Sequence, residues 1–89
     1  MPVKELIVPY KGKKIRVKNT WFSGAKLYID GDCRDTTQQL FSANGNKPIL
    51  STSIEAENEK EIIEVFITAI LTVKIKIHVN GEFLAGEHF

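Results

Sequence analysis

The alternation running through residues 65–79, VFITAILTVKIKIHV, limits the fold more than any other stretch. Val65, Ile67, Ala69, Leu71, Val73, Ile75, Ile77 and Val79 share one phase, and Lys74, Lys76 and His78 interleave with the later ones. This is the two-residue period of a half-buried strand, not the period of a helix face. A membrane helix needs about 20 mostly uncharged residues, and here the uncharged run from Val65 stops at Val73. A single strand over residues 65–81 would reach about 56 Å at ~3.3 Å per residue. A compact domain of 89 residues should be only about 30 Å across. The run must therefore break, and a corner near Ala69–Thr72 is expected.

A second stretch supports that position. KLYIDGD at 26–32 lies 50 positions before KIHVNGE at 76–82, and the two match residue by residue: Lys26 with Lys76, Leu27 with Ile77, Ile29 with Val79, Gly31 with Gly81. At the same offset Ile15 and Val17 fall on Val65 and Ile67. The spacing predicts an internal duplication. Each copy reads as a hairpin, a connector, a strand, a tight turn and a short strand. The first holds strands at Val3–Val8, Lys13–Lys18, Ala25–Ile29 and Asp32–Asp35, and the second at Ile49–Glu55, Glu61–Thr68, Val73–Val79 and Glu82–Ala85. Asp30–Gly31 and Asn80–Gly81 have the chemistry of type I′ turns. Asn44–Gly45 is a third turn, a further strand is considered at Gln38–Ser42, and SIEAENEKEII admits a helical turn as the lesser alternative. The expected fold is all-β: one domain over 1–89, an antiparallel β-sandwich of about eight short strands with an internal pseudo-repeat.

Composition narrows the function classes. A formal charge of +1 provides no global field for polyanions, so bulk charge favours neither nucleic acid nor a membrane surface. The single cysteine, Cys33, cannot form an internal disulfide, and MPVKELIVPYKGKK lacks the apolar core of a signal peptide, so a cytoplasmic location is expected.

The order KKIRV, SG, KLYIDG and, at the far end, VKIKIHVNGEFL resembles a domain of the Fas apoptotic inhibitory molecule family. The resemblance covers about residues 3–86. It implies an atypical β-sandwich and a non-enzymatic interaction protein, and it brings no catalytic residues. That family carries two such domains in tandem, where this chain reads as one.

Chemistry-bearing residues are few. Cys33 with His78 or His88 could form a thiolate–imidazole pair, but one cysteine and two histidines meet that pattern too easily, and a small buried or half-buried apolar role for the cysteine is the plainer reading. Asp30, Asp32 and Asp35 crowd together without the spacing of a calcium loop. No catalytic residue, metal site or cofactor is therefore expected. The acidic run Glu55, Glu57, Glu59, Glu61 and Glu64 reads as solvated surface.

Two surfaces remain. Trp21 and Phe22 in the connector NTWFSG form either a plug over the core or a partner-binding patch. Phe66 and Ile70 lie in the phase opposite the core, where a monomer would leave them wet, and they predict a homodimer. The leading expectation is a protein–protein interaction module. The alternative is a small β-barrel binding single-stranded nucleic acid or another polyanion through Lys13, Lys14, Arg16, Lys18, Lys74 and Lys76.

Overall fold

The computed structural model describes residues 3–20, 24–38, 47–69 and 73–87. Eight strands follow one another within them: β1 Val3–Tyr10, β2 Lys13–Thr20, β3 Gly24–Ile29, β4 Asp32–Thr37, β5 Leu50–Ala56, β6 Glu59–Ala69, β7 Val73–Val79 and β8 Glu82–Gly86. They form two antiparallel meanders, β1-β2-β3-β4 (sheet A) and β5-β6-β7-β8 (sheet B). The all-β sandwich read from the alternation is the observed architecture. The helical alternative over SIEAENEKEII is replaced by the β5–β6 hairpin, whose turn is Glu57–Asn58. The optional strand after Gln38 and the Asn44–Gly45 turn fall outside the described residues.

Four two-residue turns set the handedness of these hairpins. Both turn residues have positive φ in each: Lys11 48° and Gly12 78°, Asp30 51° and Gly31 88°, Glu57 54° and Asn58 66°, Asn80 53° and Gly81 86°. This is the type I′ signature, whose twist matches that of the flanking strands. The two turns predicted from Asp-Gly and Asn-Gly are among them.

The 65–79 run divides as its length demanded. β6 and β7 are antiparallel partners, with Ala69 opposite Val73, Ile67 opposite Ile75 and Val65 opposite Ile77, so the chain has reversed direction between Ala69 and Val73. The longest extent of the described residues is 39 Å, well short of a 17-residue strand. Inward-facing residues of both sheets make one core of Val8, Ile15, Val17, Leu27, Ile29, Leu50, Ile54, Ile63, Val65, Ile67, Ile75 and Ile77, with Ala25, Ala56 and Val79.

The duplication is visible in the hydrogen bonds. The Asp30 N–H donates to Lys14 O at 2.9 Å while Asp30 Oδ1 accepts from the Lys14 N–H at 2.7 Å. The Asn80 N–H donates to Ile62 O at 2.8 Å and Asn80 Oδ1 accepts from the Ile62 N–H at 2.9 Å. The register shifts between Leu27 and Tyr28, where a bulge leaves Arg34 of β4 without a ladder partner, and again 50 positions on between Ile77 and His78, where Leu84 of β8 is the extra residue. The constant offset through the first strands of the repeat is corrected. Ile15 opposes Ile29 as Ile63 opposes Val79, so β2 matches β6 at an offset of 48 rather than 50. Ile15 is thus the counterpart of Ile63, and Val17 of Val65. The cause is a β6–β7 ladder one pair longer than the β2–β3 ladder: Thr68–Lys74 is the counterpart of Thr20–Gly24, and Ala69–Val73 is added beyond it, which leaves the alternation in phase and conceals the slip. Counting back through Val8–Ile15 and Thr52–Ile63, β1 matches β5 at an offset of 44.

The sheets meet along two seams. Beside β4 and β5, Asp35 Oδ2 accepts from the Ser51 N–H at 2.9 Å and Arg34 Nη1 donates to Ser53 O at 3.2 Å. Across the molecule, Lys4 pairs with Glu87 at 2.9 Å.

Candidate functional site

The period of two turns alternate residues of β6, β7 and β8 away from the core, and the two-residue Asn80–Gly81 turn, which sets Val79 opposite Glu82, brings Phe83 opposite His78 on that outer face. Phe66, His78 and Phe83 form a row across the three strands, with ring centroids 4.7 Å apart for Phe66–His78 and 6.2 Å for His78–Phe83. Lys76 Nζ stands 5.4 Å over the Phe66 ring. Phe66 is only 8% exposed, so the premise that a monomer leaves it wet is corrected: His78 and Lys76 cover it. On this face the exposed apolar surface belongs instead to Phe83 and Ile62, each 42% exposed, while Ile7, 53% exposed, stands opposite Arg16 on sheet A. Charge on this face is mixed on β5 and β6, where Glu55 and Glu64 are accompanied by Lys60 directly opposite Glu55, and basic on β7, with Lys74 and Lys76.

The outer face of sheet A differs in character. Lys14, Arg16 and Lys18 project from β2, with Lys18 directly opposite Lys26 and Arg16 opposite Tyr28. Arg16 forms an ion pair with Glu5 on β1 and lies 5.4 Å from the Tyr28 ring centroid. Because the two outer faces of a sandwich point apart, the structure does not bring Lys14, Arg16 and Lys18 together with Lys74 and Lys76. Lys13 joins neither group. It sits opposite Tyr10 in the inward-facing phase and lines a groove at the β4–β5 seam. Trp21, Phe22 and Ile70 lie outside the described residues.

One carboxylate is buried. Glu61 is 4% exposed at the start of β6, in the core phase with Ile63, and its Oε1 accepts from Tyr10 Oη at 2.9 Å and Lys11 Nζ at 3.0 Å. The hydrogen bond from Lys11 holds the Glu61 carboxyl below the usual glutamate range, with the Tyr10 bond adding to it against the opposing effect of burial. The same bond raises the Lys11 ammonium above the ordinary lysine range, and desolvation leads the upward shift of the Tyr10 phenol. This group ties the β1–β2 turn of sheet A to sheet B.

The other sequence candidates separate or are occupied. The buried or half-buried role expected of Cys33 is corrected: it is exposed on β4 of sheet A, opposite Tyr28 in the outer phase, whereas His78 lies on the outer face of sheet B. His88 is outside the described residues. Asp30 and Asp35 are engaged by backbone N–H groups of Lys14, Thr36 and Ser51. Among the described residues no group of three His, Cys, Asp or Glu side chains is placed to hold a metal, and no helix is long and apolar enough to cross a membrane. No family model matches the chain, and comparison with curated proteins and with solved structures gives no match.

Sequence reasoning missed Ile62, His78 and Phe83. Ile62 had a readable signal, being apolar in the outer phase of β6. Phe83 had one as well, because the two-residue Asn80–Gly81 turn sets Glu82 opposite Val79 and hence Phe83 opposite His78.

Proposed function

We propose that this chain is a non-enzymatic protein–protein interaction module that pairs with a second copy of itself through the outer face of sheet B. The observation that carries the reading is the Phe66–His78–Phe83 row with Phe83 and Ile62 at its surface. A second copy is the occupant that the charges favour. A two-fold axis parallel to the strands sets the β5–β6 half, where Glu55 and Glu64 outnumber Lys60, against the basic β7 half of the partner, whereas the sheet A face would set lysines against lysines. Phe66 acts from beneath, holding His78 and Lys76 in place. The resemblance to the domains of the Fas apoptotic inhibitory molecule family belongs to the same proposal, as does a reducing, cytoplasmic setting for the unpaired Cys33.

The face limits the affinity. Four strands at ~4.8 Å and about seven residues at ~3.3 Å give roughly 19 by 23 Å, below the ~800 Å² per partner of a standard interface. The dimer should therefore form at tens to hundreds of micromolar. Sedimentation equilibrium across that range should show a monomer–dimer transition that is lost in the Phe83→Ser, Ile62→Ser double variant. A monomer throughout, or a dimer indifferent to the double variant, defeats the proposal.

The opposed Lys18 and Lys26 support a second reading, a polyanion surface on sheet A, since like charges directly opposite one another destabilise a sheet unless a counter-charge is bound. Salt-dependent binding of a labelled single-stranded oligonucleotide would favour it; no binding at low salt would remove it.

A further inference from the structure

The duplication relates two grooves, one at each seam, that have taken opposite charge. Beside β4 and β5, a groove of about 480 Å³ is lined by Lys13, Arg34, Ser53, Ile54, Glu55 and Lys60. At the other seam a groove of about 350 Å³ includes Tyr10, Glu61, Glu82, Phe83 and Leu84 in its wall. The registers of the two halves make these counterparts: Lys13 corresponds to Glu61 at the β2–β6 offset, Arg34 to Leu84 at the β4–β8 offset, and Ile54 to Tyr10 at the β1–β5 offset.

The two differ in how their charge is answered. Glu61 is answered within the molecule, by Lys11 and Tyr10. In the first groove three cations face one carboxylate, Glu55, and among the described residues none of Lys13, Arg34 and Lys60 forms an ion pair. The Arg34 guanidinium is oriented without being neutralised, since its Nη1 donates to the carbonyl of Ser53 at 3.2 Å. Lys13 is half-buried, so its charge is held at the groove instead of sweeping through solvent. An oriented guanidinium flanked by two ammonium groups matches a phosphoryl group, the fork giving direction and the lysines giving charge.

We propose that the β4–β5 seam is a binding site for a small phosphate-bearing anion, held by Lys13, Arg34 and Lys60. The groove draws on both sheets, with Lys13 and Arg34 from sheet A and Ser53 and Lys60 from sheet B, so an occupant bridges them. The site is separate from the aromatic row of sheet B, so the failure of either proposal leaves the other standing.

The probe is inorganic pyrophosphate, followed at low ionic strength by calorimetry and by backbone amide shifts. Saturable one-to-one binding is expected, with the largest shifts at residues 34, 53–55 and 60. The Arg34→Gln, Lys60→Gln variant should weaken it at least ten-fold. Both side chains are exposed, and an unchanged amide spectrum away from the groove would show that this variant is folded. The Lys18→Gln, Lys26→Gln variant on the outer face of sheet A should bind as the native chain does. Absence of saturation at millimolar pyrophosphate, an undiminished affinity in the Arg34, Lys60 variant, or an equal loss in the Lys18, Lys26 variant would each overturn the site.

Discussion

Gly24→Ala and Gly31→Ala make a matched test of why glycine stands where it does. Both residues have positive φ, +74° at Gly24 and +88° at Gly31. Placing alanine in that region costs about 1–2 kcal/mol at either position. A Cβ at Gly31 would meet nothing within 4 Å, so the turn bears only that cost. At Gly24 the Cβ would lie 1.9 Å from the carbonyl oxygen of Thr37 and 2.9 Å from Gln38 Cα, both backbone atoms that no rotamer change can move. Relief requires β4 to retreat from β3 where Ala25 opposes Thr37 and Lys26 opposes Thr36. Losing one or two ladder hydrogen bonds adds about 1 kcal/mol each. The totals are about 1–2 kcal/mol for Gly31→Ala and about 2–4 kcal/mol for Gly24→Ala, or roughly 4–16 °C and 8–32 °C of Tm for a domain of this size. Thermal melts by circular dichroism, with urea titrations for the same pair, would measure both. Equal losses for the two variants, or a milder loss at Gly24, would refute the reasoning.

Two further outcomes follow from the turns and from the buried carboxylate. Glu57 and Asn58 make a type I′ turn without glycine, so the Glu57→Asn, Asn58→Gly variant should raise stability by about 1 kcal/mol, a gain that exceeds the loss of the exposed Lys11–Glu57 pair, 3.5 Å long; an unchanged or lower urea midpoint would count against the assignment. Because the Glu61 carboxyl titrates below its ordinary value in the folded chain, its contribution is complete above the usual glutamate range and is lost as pH falls through that range and beyond. Lys11 and Tyr10 are shifted upward, so their contributions fade as pH rises past the ordinary values of 10.5 and 10.0. Urea midpoints measured against pH should show an acid-side slope that Glu61→Gln flattens; an identical slope in that variant would mean that other carboxylates carry it.

The parts of the fold legible in the sequence are those fixed by local chemistry. Alternation gave the inward and outward faces of β2, β6 and β7, and Asp-Gly and Asn-Gly gave two turns. The repeat was legible only as far as its hairpins are rigid, from Lys26 onward; the slip of two residues left no trace because a two-residue shift preserves which face each side chain occupies. Glu61 was read with an acidic surface run, although its parity with Ile63 and Val65 already placed it on the core side. What could not be read there was the partner that makes its burial tolerable, since Tyr10 and Lys11 reach it from the other sheet. The exposed aromatic surface was misassigned for a related reason: Phe66 has the outward phase but is covered by residues of the next strand, an effect that belongs to the sheet and not to the strand.

The order of strands in the two meanders bears on how the chain reaches this structure. Each strand within a sheet pairs only with its neighbours in sequence. Closing such contacts entails short loops and little loss of chain entropy before the first hydrogen bonds form. Sandwiches with crossed connections fold slowly because their pairings join distant segments; here the distant contacts are left to the docking of one finished sheet on the other. The chain should thus fold fast for an all-β protein, with the type I′ hairpins forming early and the seam contacts of Asp35 and Glu61 closing late. A late-closing seam is also the first to reopen, and separation of the two sheets along it, more than fraying of any single strand, is the motion this topology makes easiest.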